Sequence, residues 1–113
     1  LYLTDKLSGI FFQTSRGDRP VQSYVRNLDK STYSKYVRLT DVLSNYGSLI
    51  SMLYSRKLTK NLSELRTKGK NPIRIIYTII ENKYFLLHAF QKKTNKTPLQ
   101  EIKTAEARRL ILK

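Results

Sequence analysis

The sequence predicts a small α+β domain in which two N-terminal helices, an antiparallel β-sheet and a C-terminal helix form one unit spanning residues 1–113. Three observations lead to this prediction. Apolar residues recur at helical spacing in the first half, three β-prone segments lie close together in the second half, and a helix-start sequence precedes the last segment. A chain of 113 residues is the usual size of one domain, and 40% hydrophobic residues suffice for an ordinary core.

The first elements are expected to be a short strand and a helix. Residues 10–14 are apolar and β-prone, and the turn-forming sequence SRGDRP follows them. Pro20 suits the first turn of a helix, because the N–H that proline lacks would have no partner there. One apolar helical face then follows at i, i+3, i+4 and i+7, consisting of Val21, Tyr24, Val25 and Leu28.

A second helix is expected over residues 32–46, forming an antiparallel pair with the first. Gly47 is placed to end it, since glycine readily adopts the left-handed conformation that follows many helices. Residues 49–54 are apolar but too few to assign. The buried stripe of this helix is predicted to consist of Tyr33, Tyr36, Val37, Thr40, Leu43 and Tyr46.

Three strand candidates follow, at residues 61–67, 72–80 and 83–90, and turn-like residues separate them. Short connections between strands favour an antiparallel meander. Side chains alternate between the two faces of a strand, so the register decides which residues share a face. A three-residue loop around Asn82 predicts the cross-strand pairs Tyr77 with Leu87, Ile75 with Ala89, and Arg74 with Phe90.

These pairs sort the sheet into two faces. The first, expected to pack against helices, contains Leu65, Ile73, Ile75, Tyr77, Ile79, Phe85 and Leu87. The second, expected to carry the chemistry, contains Glu64, Arg66, Arg74, His88, Phe90 and Lys92.

The final helix is expected to run from Pro98 to Leu112. Thr97 is predicted as its N-cap, and Gln100 three residues later would complete a capping box. Pro98 would occupy the first helical position.

Charge is the strongest functional signal. The chain carries 22 Lys and Arg against 8 Asp and Glu, a net charge of +14, which predicts a polyanionic partner such as nucleic acid or a nucleoprotein. With no cysteine and one histidine, neither a disulfide framework nor a Cys- or His-based metal site is expected. No apolar run is long enough to span a membrane, and no signal peptide is apparent, so we expect a cytoplasmic protein without membrane contact or cofactor.

Several sequence segments together resemble one family. LSELR, then IRIIYTI, then YFLLHAFQKKTNKTPLQEIKTAEARR look like the phage-derived, HigB-like branch of the RelE/ParE superfamily of type II toxins. The upstream DRPVQSYVRNLD and LSNYG resemble the helices of that branch, so the match extends from about Phe11 to Arg109. The order and spacing of the segments carry the resemblance, because each one alone is weak.

The resemblance implies a microbial-ribonuclease-like α+β fold and a type II toxin. Such a toxin enters the ribosomal A site, cuts mRNA there without a metal, and is silenced by a cognate antitoxin. We expect that antitoxin to be acidic and DNA-binding.

Catalytic roles are assigned from chemistry and not carried over from the resemblance. Cleavage needs positive charge on the phosphorane and proton transfer at two oxygens. Arg66 and Arg74 suit the phosphorane, Lys92 could supply a proton or charge, and His88 has a pKa suited to acid–base work. Glu64 is expected to orient Arg74. The predicted RNA-binding residues are Lys57, Lys60, Lys68, Lys70, Phe90, Lys93 and Lys96.

Each assignment has a structural alternative. Arg74 must face solvent, pair with Glu64 or hold a phosphate, and the face sorting favours phosphate. His88 within an apolar strand is more often a hydrogen-bonded structural residue, and Tyr77 is expected in the core. Two other functions also remain open: a ParE-like gyrase-inhibiting toxin, and a non-catalytic RNA- or ribosome-binding module.

Overall fold

A computed structural model of the chain describes residues 6–47 and 55–112. It has the expected α+β class, with a five-stranded mixed sheet and three helices. Residues 49–54, left unassigned from the sequence, lie outside the described residues. Within the described part, no helix is long and apolar enough to cross a membrane. The elements are β1 (Ser8–Phe11), α1 (Pro20–Arg26), α2 (Lys30–Tyr46), β2 (Ser55–Lys57), β3 (Ser63–Arg66), β4 (Ile73–Ile80), β5 (Lys83–Gln91) and α3 (Leu99–Ile111).

The sheet has the strand order β1-β5-β4-β3-β2, and β1 pairs with β5 in parallel. The predicted antiparallel meander of β3, β4 and β5 is confirmed, whereas the sheet as a whole is mixed and not antiparallel as predicted. Local turn signals reveal only hairpin neighbours, whereas a parallel pair joins segments distant in sequence. Strand β2 was also not predicted, because its three residues include the exposed Arg56 and Lys57 and show no apolar pattern.

Helices α1 and α2 cover one face of the sheet, and α3 covers the other. The arrangement of the first two helices differs from the expected antiparallel pair, since α1 packs chiefly against β5. The larger core lies under α1 and α2 and contains Val21, Val25, Tyr36, Leu39, Leu43, Leu65, Ile73, Ile75, Tyr77, Tyr84 and Leu86. The smaller core lies under α3 and contains Phe12, Leu62, Ile76, Leu87 and Ala105.

The buried stripe of α2 is rotated from the predicted one. Thr32 and Leu39 are buried with Tyr36 and Leu43, whereas three residues assigned to the stripe are 43–45% exposed: Tyr33, Val37 and Tyr46. The helix also starts two residues early, at Lys30. Asp29 caps it there, because its carboxylate accepts hydrogen bonds from the backbone N–H and hydroxyl of Thr32. Gly47 ends α2 as expected, with φ 56°.

A β-bulge in the β4–β5 hairpin reassigns several residues. The loop contains only Glu81 and Asn82, and Ile80 pairs with Lys83. This loop is one residue shorter than predicted. A bulge opposite Ile76 and Tyr77 adds one residue to β5, so the half of the hairpin that lies far from the loop has the predicted register. The confirmed pairs are Ile75 with Ala89 and Arg74 with Phe90.

The inner half of the hairpin departs from the prediction. Tyr77 pairs with Leu86 and not with Leu87. Phe85 and Leu87, predicted on the face that packs against α1 and α2, therefore lie on the α3 side of the sheet. Tyr84 and Leu86, which were not assigned to that face, occupy the larger core in their place. Ile79 lies near the end of β4 and is 38% exposed, so it does not belong to the core.

Candidate functional site

The second face of the sheet has the predicted residues but is not open. The register aligns Arg66, Arg74 and Phe90 across the neighbouring strands β3, β4 and β5. Two residues further along the same strands, and therefore on the same face, it aligns Glu64, Ile76 and His88. Helix α3 and the segment leading to it lie over this face. Several of the predicted functional side chains are therefore enclosed, and their contacts decide what each can do.

Arg74 is buried in an ion pair. Its Nη1 donates to Glu64 Oε1 at 2.9 Å, and the two side chains are 6% and 0% exposed. The guanidinium also donates to the carbonyl of Asn95 at 3.4–3.5 Å, and Thr97 Oγ1 donates to Glu64 Oε2 at 2.7 Å. The structure thus assigns Arg74 to Glu64, where the face sorting had favoured a phosphate, and the orienting role expected for Glu64 agrees with this contact.

Thr97 does not cap α3, which corrects the predicted capping box. Its hydroxyl is used by Glu64, and the helix begins one residue later than predicted, at Leu99, with Pro98 in the capping position and no side-chain cap. A buried carboxylate oxygen without a hydrogen-bond donor is costly, whereas the free N–H groups at a helix end near water can bond to the solvent. The sequence pattern for a cap therefore marked a residue that closes the ion pair.

Two clefts share Arg74 as a wall. The first, here called the basic cleft, is lined by Arg66, Thr67, Lys68, Arg74 and Lys92. The second, here called the aromatic cleft, also contains Tyr24, Phe90, Lys93, Lys96 and Glu101 among its lining residues. No acidic residue lines the basic cleft, and Glu101 is the one acidic residue lining the aromatic cleft, so both clefts attract anions.

Backbone hydrogen bonds at the ends of β3, β4 and β5 hold the basic cleft in shape. The N–H of Thr67 donates to the carbonyl of Ile73 at 3.1 Å, and the N–H of Lys92 donates to the carbonyl of Pro72 at 2.9 Å. Thr67 Oγ1 accepts a further bond from the N–H of Ile73 at 2.9 Å. These bonds place Arg66 and Lys92, both partly exposed, on either side of the buried Arg74. Such a pair of cations suits a phosphate group.

His88, on β5, links α3 to the sheet through side-chain hydrogen bonds. Its Nε2 lies 2.5 Å from Glu101 Oε1, and its Nδ1 lies 3.3 Å from Nη1 of Arg108. Since a guanidinium can only donate, Nδ1 accepts from Arg108 and Nε2 donates to Glu101. Both ring nitrogens are thus engaged, and the ring stacks on Phe90 at 5.6 Å between centroids. These contacts favour the structural alternative for His88.

Arg108 is the second fastening of α3. Its Nη1 donates to the carbonyl of Leu87 at 2.7 Å, and its guanidinium carbon lies 5.6 Å from the centre of the Phe12 ring. Partial burial lowers the pKa of this guanidinium. Sequence reasoning missed Glu101 and Arg108, although their spacing from the buried Ala105 (i−4 and i+3, respectively) places all three on the face of α3 that meets the sheet.

The remaining predicted RNA-binding residues fall into two groups. Lys93 and Lys96 are exposed at the aromatic cleft, and Lys70 is exposed in the turn between β3 and β4. Lys57 and Lys60 line a separate cleft together with Tyr77. Tyr77 pairs with Ser63, so this cleft lies at the opposite end of β3 from Arg66. The structure therefore does not bring these two lysines to Arg74.

Tyr77 lies in the core, as expected. Its side chain is buried, and its hydroxyl shares a hydrogen bond of 2.8 Å with Ser55 Oγ. Burial raises the pKa of this phenol. Within the described residues, no group of three or more His, Asp or Glu side chains could hold a metal ion.

Comparison with protein-family models gave a match over most of the chain. Residues 23–110 match the model of a family described as "Phage derived protein Gp49-like". A search of curated proteins gave no match. The matched segment contains every residue that lines the basic and aromatic clefts, together with both fastenings of α3.

Proposed function

Because the chain belongs to the Gp49-like family of phage-derived proteins, a toxin-like family associated with RelE/HigB-type toxins, we propose that it is the toxin of a type II toxin–antitoxin system. We propose that it acts in the cytoplasm as a metal-independent endoribonuclease that cuts mRNA on the ribosome. The proposed fold is RelE-like, with α1 and α2 on one face of the sheet and α3 on the other.

The observation that carries this proposal is the basic cleft. Arg66, Lys68 and Lys92 gather beside Arg74 at one end of the sheet, and no acidic side chain lines the cleft. The carboxylate of Glu64, which pairs with Arg74, is fully buried. A cleft of this charge and shape suits the phosphates of a single RNA strand.

The chain's own residues support the following roles. Arg66 presents paired N–H donors to the non-bridging oxygens of the scissile phosphate, and this contact strengthens as charge develops on the phosphorane. Lys92 is placed to give a proton to the departing 5′-oxygen or to neutralise it. Phe90 offers an aromatic ring on which a base can stack. The 2′-oxygen forms a bond to phosphorus as the bond from phosphorus to the 5′-oxygen breaks, and the 2′-hydroxyl proton passes to water or to a group of the ribosome. The ribosome is expected to orient this hydroxyl, because the cleft offers few acid–base groups.

Arg74 is a positioning residue in this scheme. Its guanidinium holds the Asn95 carbonyl and, through Glu64, the Thr97 hydroxyl. It therefore fixes the segment that carries Lys93 and Lys96 over the end of the sheet. Loss of Arg74 is expected to disturb both clefts together.

We also propose a cognate antitoxin that is net acidic over its toxin-binding segment. The net charge of +14 makes such a partner electrostatically favourable. Coverage of the basic cleft would block phosphate binding directly. An antitoxin that contacts only neutral or acidic surface in the complex would contradict this expectation.

Two assays on the purified chain test the proposed function. In a reconstituted translation reaction, primer extension should reveal cuts in translated mRNA, and an Arg66→Ala variant should cut much less. A Lys83→Ala variant is the matched control, since Lys83 is exposed at the opposite end of β5. Intact mRNA with inhibited DNA supercoiling would favour the gyrase-inhibiting alternative. Inhibited translation with intact mRNA would favour the non-catalytic binding module.

A further inference from the structure

We infer that the chain binds an RNA backbone well beyond the basic cleft, along a track on α2 formed by Lys30, Lys35 and Arg38. This inference rests on the proposed function and deepens it, because it assigns the path that the strand takes away from the cut.

The clefts along α2 lie next to the basic cleft, and neighbouring clefts share lining residues. A cleft between α2 and the β3–β4 turn is lined by Lys35 and Arg38 on one side and by Arg66, Thr67 and Lys68 on the other. The last three residues are also walls of the basic cleft. A further cleft along α2 shares Lys35 and Arg38 and adds Lys30 with two serines. The three clefts are therefore neighbours that share lining residues, from α2 to the end of β3.

The lining of this path is cationic and polar. Of the residues that line the two α2 clefts, none is acidic and Leu39 is the one large apolar residue. Asp29, the nearest carboxylate in sequence, is engaged by Thr32 and Asn71. Asp41 lies one turn beyond Arg38 and marks the end of the path. A surface lined by several cations and no carboxylate suits the phosphates of a nucleic acid.

The charge placement on α2 works against the helix itself. Lys30 lies at the helix N-terminus, and the first turn has no acidic residue. Cations are unfavourable there because the N-terminal end of the helix dipole is already positive. The carboxylate of Asp29 already caps this end of the helix. Attraction for an anion along α2 therefore comes from the side chains of Lys30, Lys35 and Arg38. From Lys30 to Arg38 the helix rises about 12 Å, a length over which a single strand presents several phosphates.

A hydrogen bond joins the α2 track to the basic cleft. Lys35 Nζ donates to the carbonyl of Lys68 at 2.6 Å. The turn that contains Lys68 depends on Gly69, whose φ of +112° other residues rarely adopt. A Cβ at Gly69 would also contact Lys35 Nζ. The turn is thus held against α2, so the track and the cleft keep their relative positions without a ligand.

The test is the salt dependence of RNA binding. The triple variant Lys30→Gln, Lys35→Gln, Arg38→Gln should be compared with the control Arg16→Gln, Arg19→Gln, Arg26→Gln, which removes the same charge from exposed residues that line none of these clefts. The probe is a single-stranded 2′-O-methyl RNA of about 12 nucleotides, which cannot be cut and matches the span of a protein groove. Fluorescence anisotropy at several salt concentrations gives Kd and its slope.

We expect the track variant to lower the slope of log K against log salt by about 2, since each phosphate contact with a single strand contributes roughly 0.7. The control should change it much less. Because Lys35 also holds the turn, the double variant Lys30→Gln, Arg38→Gln keeps that bond and should lower the slope by about 1.4.

Equal changes in the track variants and the control would overturn the track, whatever the ribosome assay gives. If the track variants instead lose binding to polyglutamate while RNA binding is unchanged, a protein partner occupies α2 and the inference is overturned. If the wild-type chain does not cut mRNA but the slope falls as expected, the track stands and the proposed nuclease activity fails.

Discussion

The guanidinium of Arg74 and the carboxylate of Glu64 form a diagonal pair on adjacent strands, 2.9 Å apart and almost entirely removed from water. Thr97 completes the coordination of the carboxylate. Within the described residues, no buried side-chain polar atom lacks a hydrogen-bond partner. The pair thus joins β3, β4 and the segment before α3 beneath the surface that the proposed RNA would contact.

Breaking this pair should destabilise the fold strongly. Glu64→Gln leaves a buried guanidinium without a counter-charge, and such changes typically cost about 3–5 kcal/mol. We expect a fall in Tm of roughly 10 °C or more for a domain of this size. Glu106→Gln is the matched control, because Glu106 forms a 2.9 Å ion pair with Arg109 that is partly exposed. That control should change stability by less than about 1 kcal/mol. Equal Tm values for the two variants would contradict the structural role of Glu64.

The cations beside Arg74 should affect activity and not stability. Arg66→Ala and Lys92→Ala each remove one partly exposed side chain from the basic cleft. If each contacts the phosphorane, cleavage on the ribosome should fall by about a hundred- to a thousand-fold with Tm nearly unchanged. Arg66→Lys should restore activity only in part, because lysine lacks the planar paired donors. Full cleavage by either alanine variant would remove that residue from the proposed site.

Removal of the Arg108 side chain should loosen α3. Arg108→Ala leaves the carbonyl of the buried Leu87 without its 2.7 Å donor, a loss of about 1–3 kcal/mol. Hydrogen exchange should then accelerate in α3 more than in β4. Arg109→Ala serves as control, because the Arg109 side chain donates to Glu106 on the same helix and not to the sheet. Uniform acceleration across the whole sheet would show that Arg108 supports the global fold and not α3 alone.

Stability should fall at high pH through buried tyrosines. Burial, with Tyr84 and Tyr33 nearby, raises the pKa of Tyr36 from 10.0 to about 12. The folded state therefore keeps the phenol protonated where the unfolded state loses the proton. This contribution is fully present below about pH 10 and is lost as the pH rises towards 12. Urea unfolding across this range should show a falling midpoint, and Tyr36→Phe should reduce the slope. An identical pH dependence in the variant would assign the effect to other groups.

Sequence reasoning succeeded where local patterns decide the outcome. The turn at Glu81-Asn82 and the alternation in β4 were enough to place Arg74 opposite Phe90. The predicted loop was one residue too long, and the bulge in β5 adds one residue. The two differences cancel, so the predicted register is correct beyond the bulge. Closer to the turn no such compensation exists, so Phe85 and Leu87 were assigned to the wrong face.

The enclosure of the second face could not be inferred from the strands alone. Arg74 and His88 lie on the predicted face, yet their partners Thr97, Glu101 and Arg108 come from the segment that folds back over it. An alternating pattern identifies which side chains share a face but not what covers that face. The covering helix decides which cations remain free for a phosphate.

The parallel pairing of β1 with β5 has a consequence for how the chain is assembled. Residues 8–11 pair with residues 83–86, so β1 is synthesised well before β5, the strand with which it pairs. Such distant contacts carry a loop-closure cost that is met only after the β4–β5 hairpin exists. The basic cleft likewise needs the ends of β3, β4 and β5 together. During synthesis, therefore, neither the β1 edge of the sheet nor the basic cleft can form until β5 has emerged from the ribosome that makes the chain.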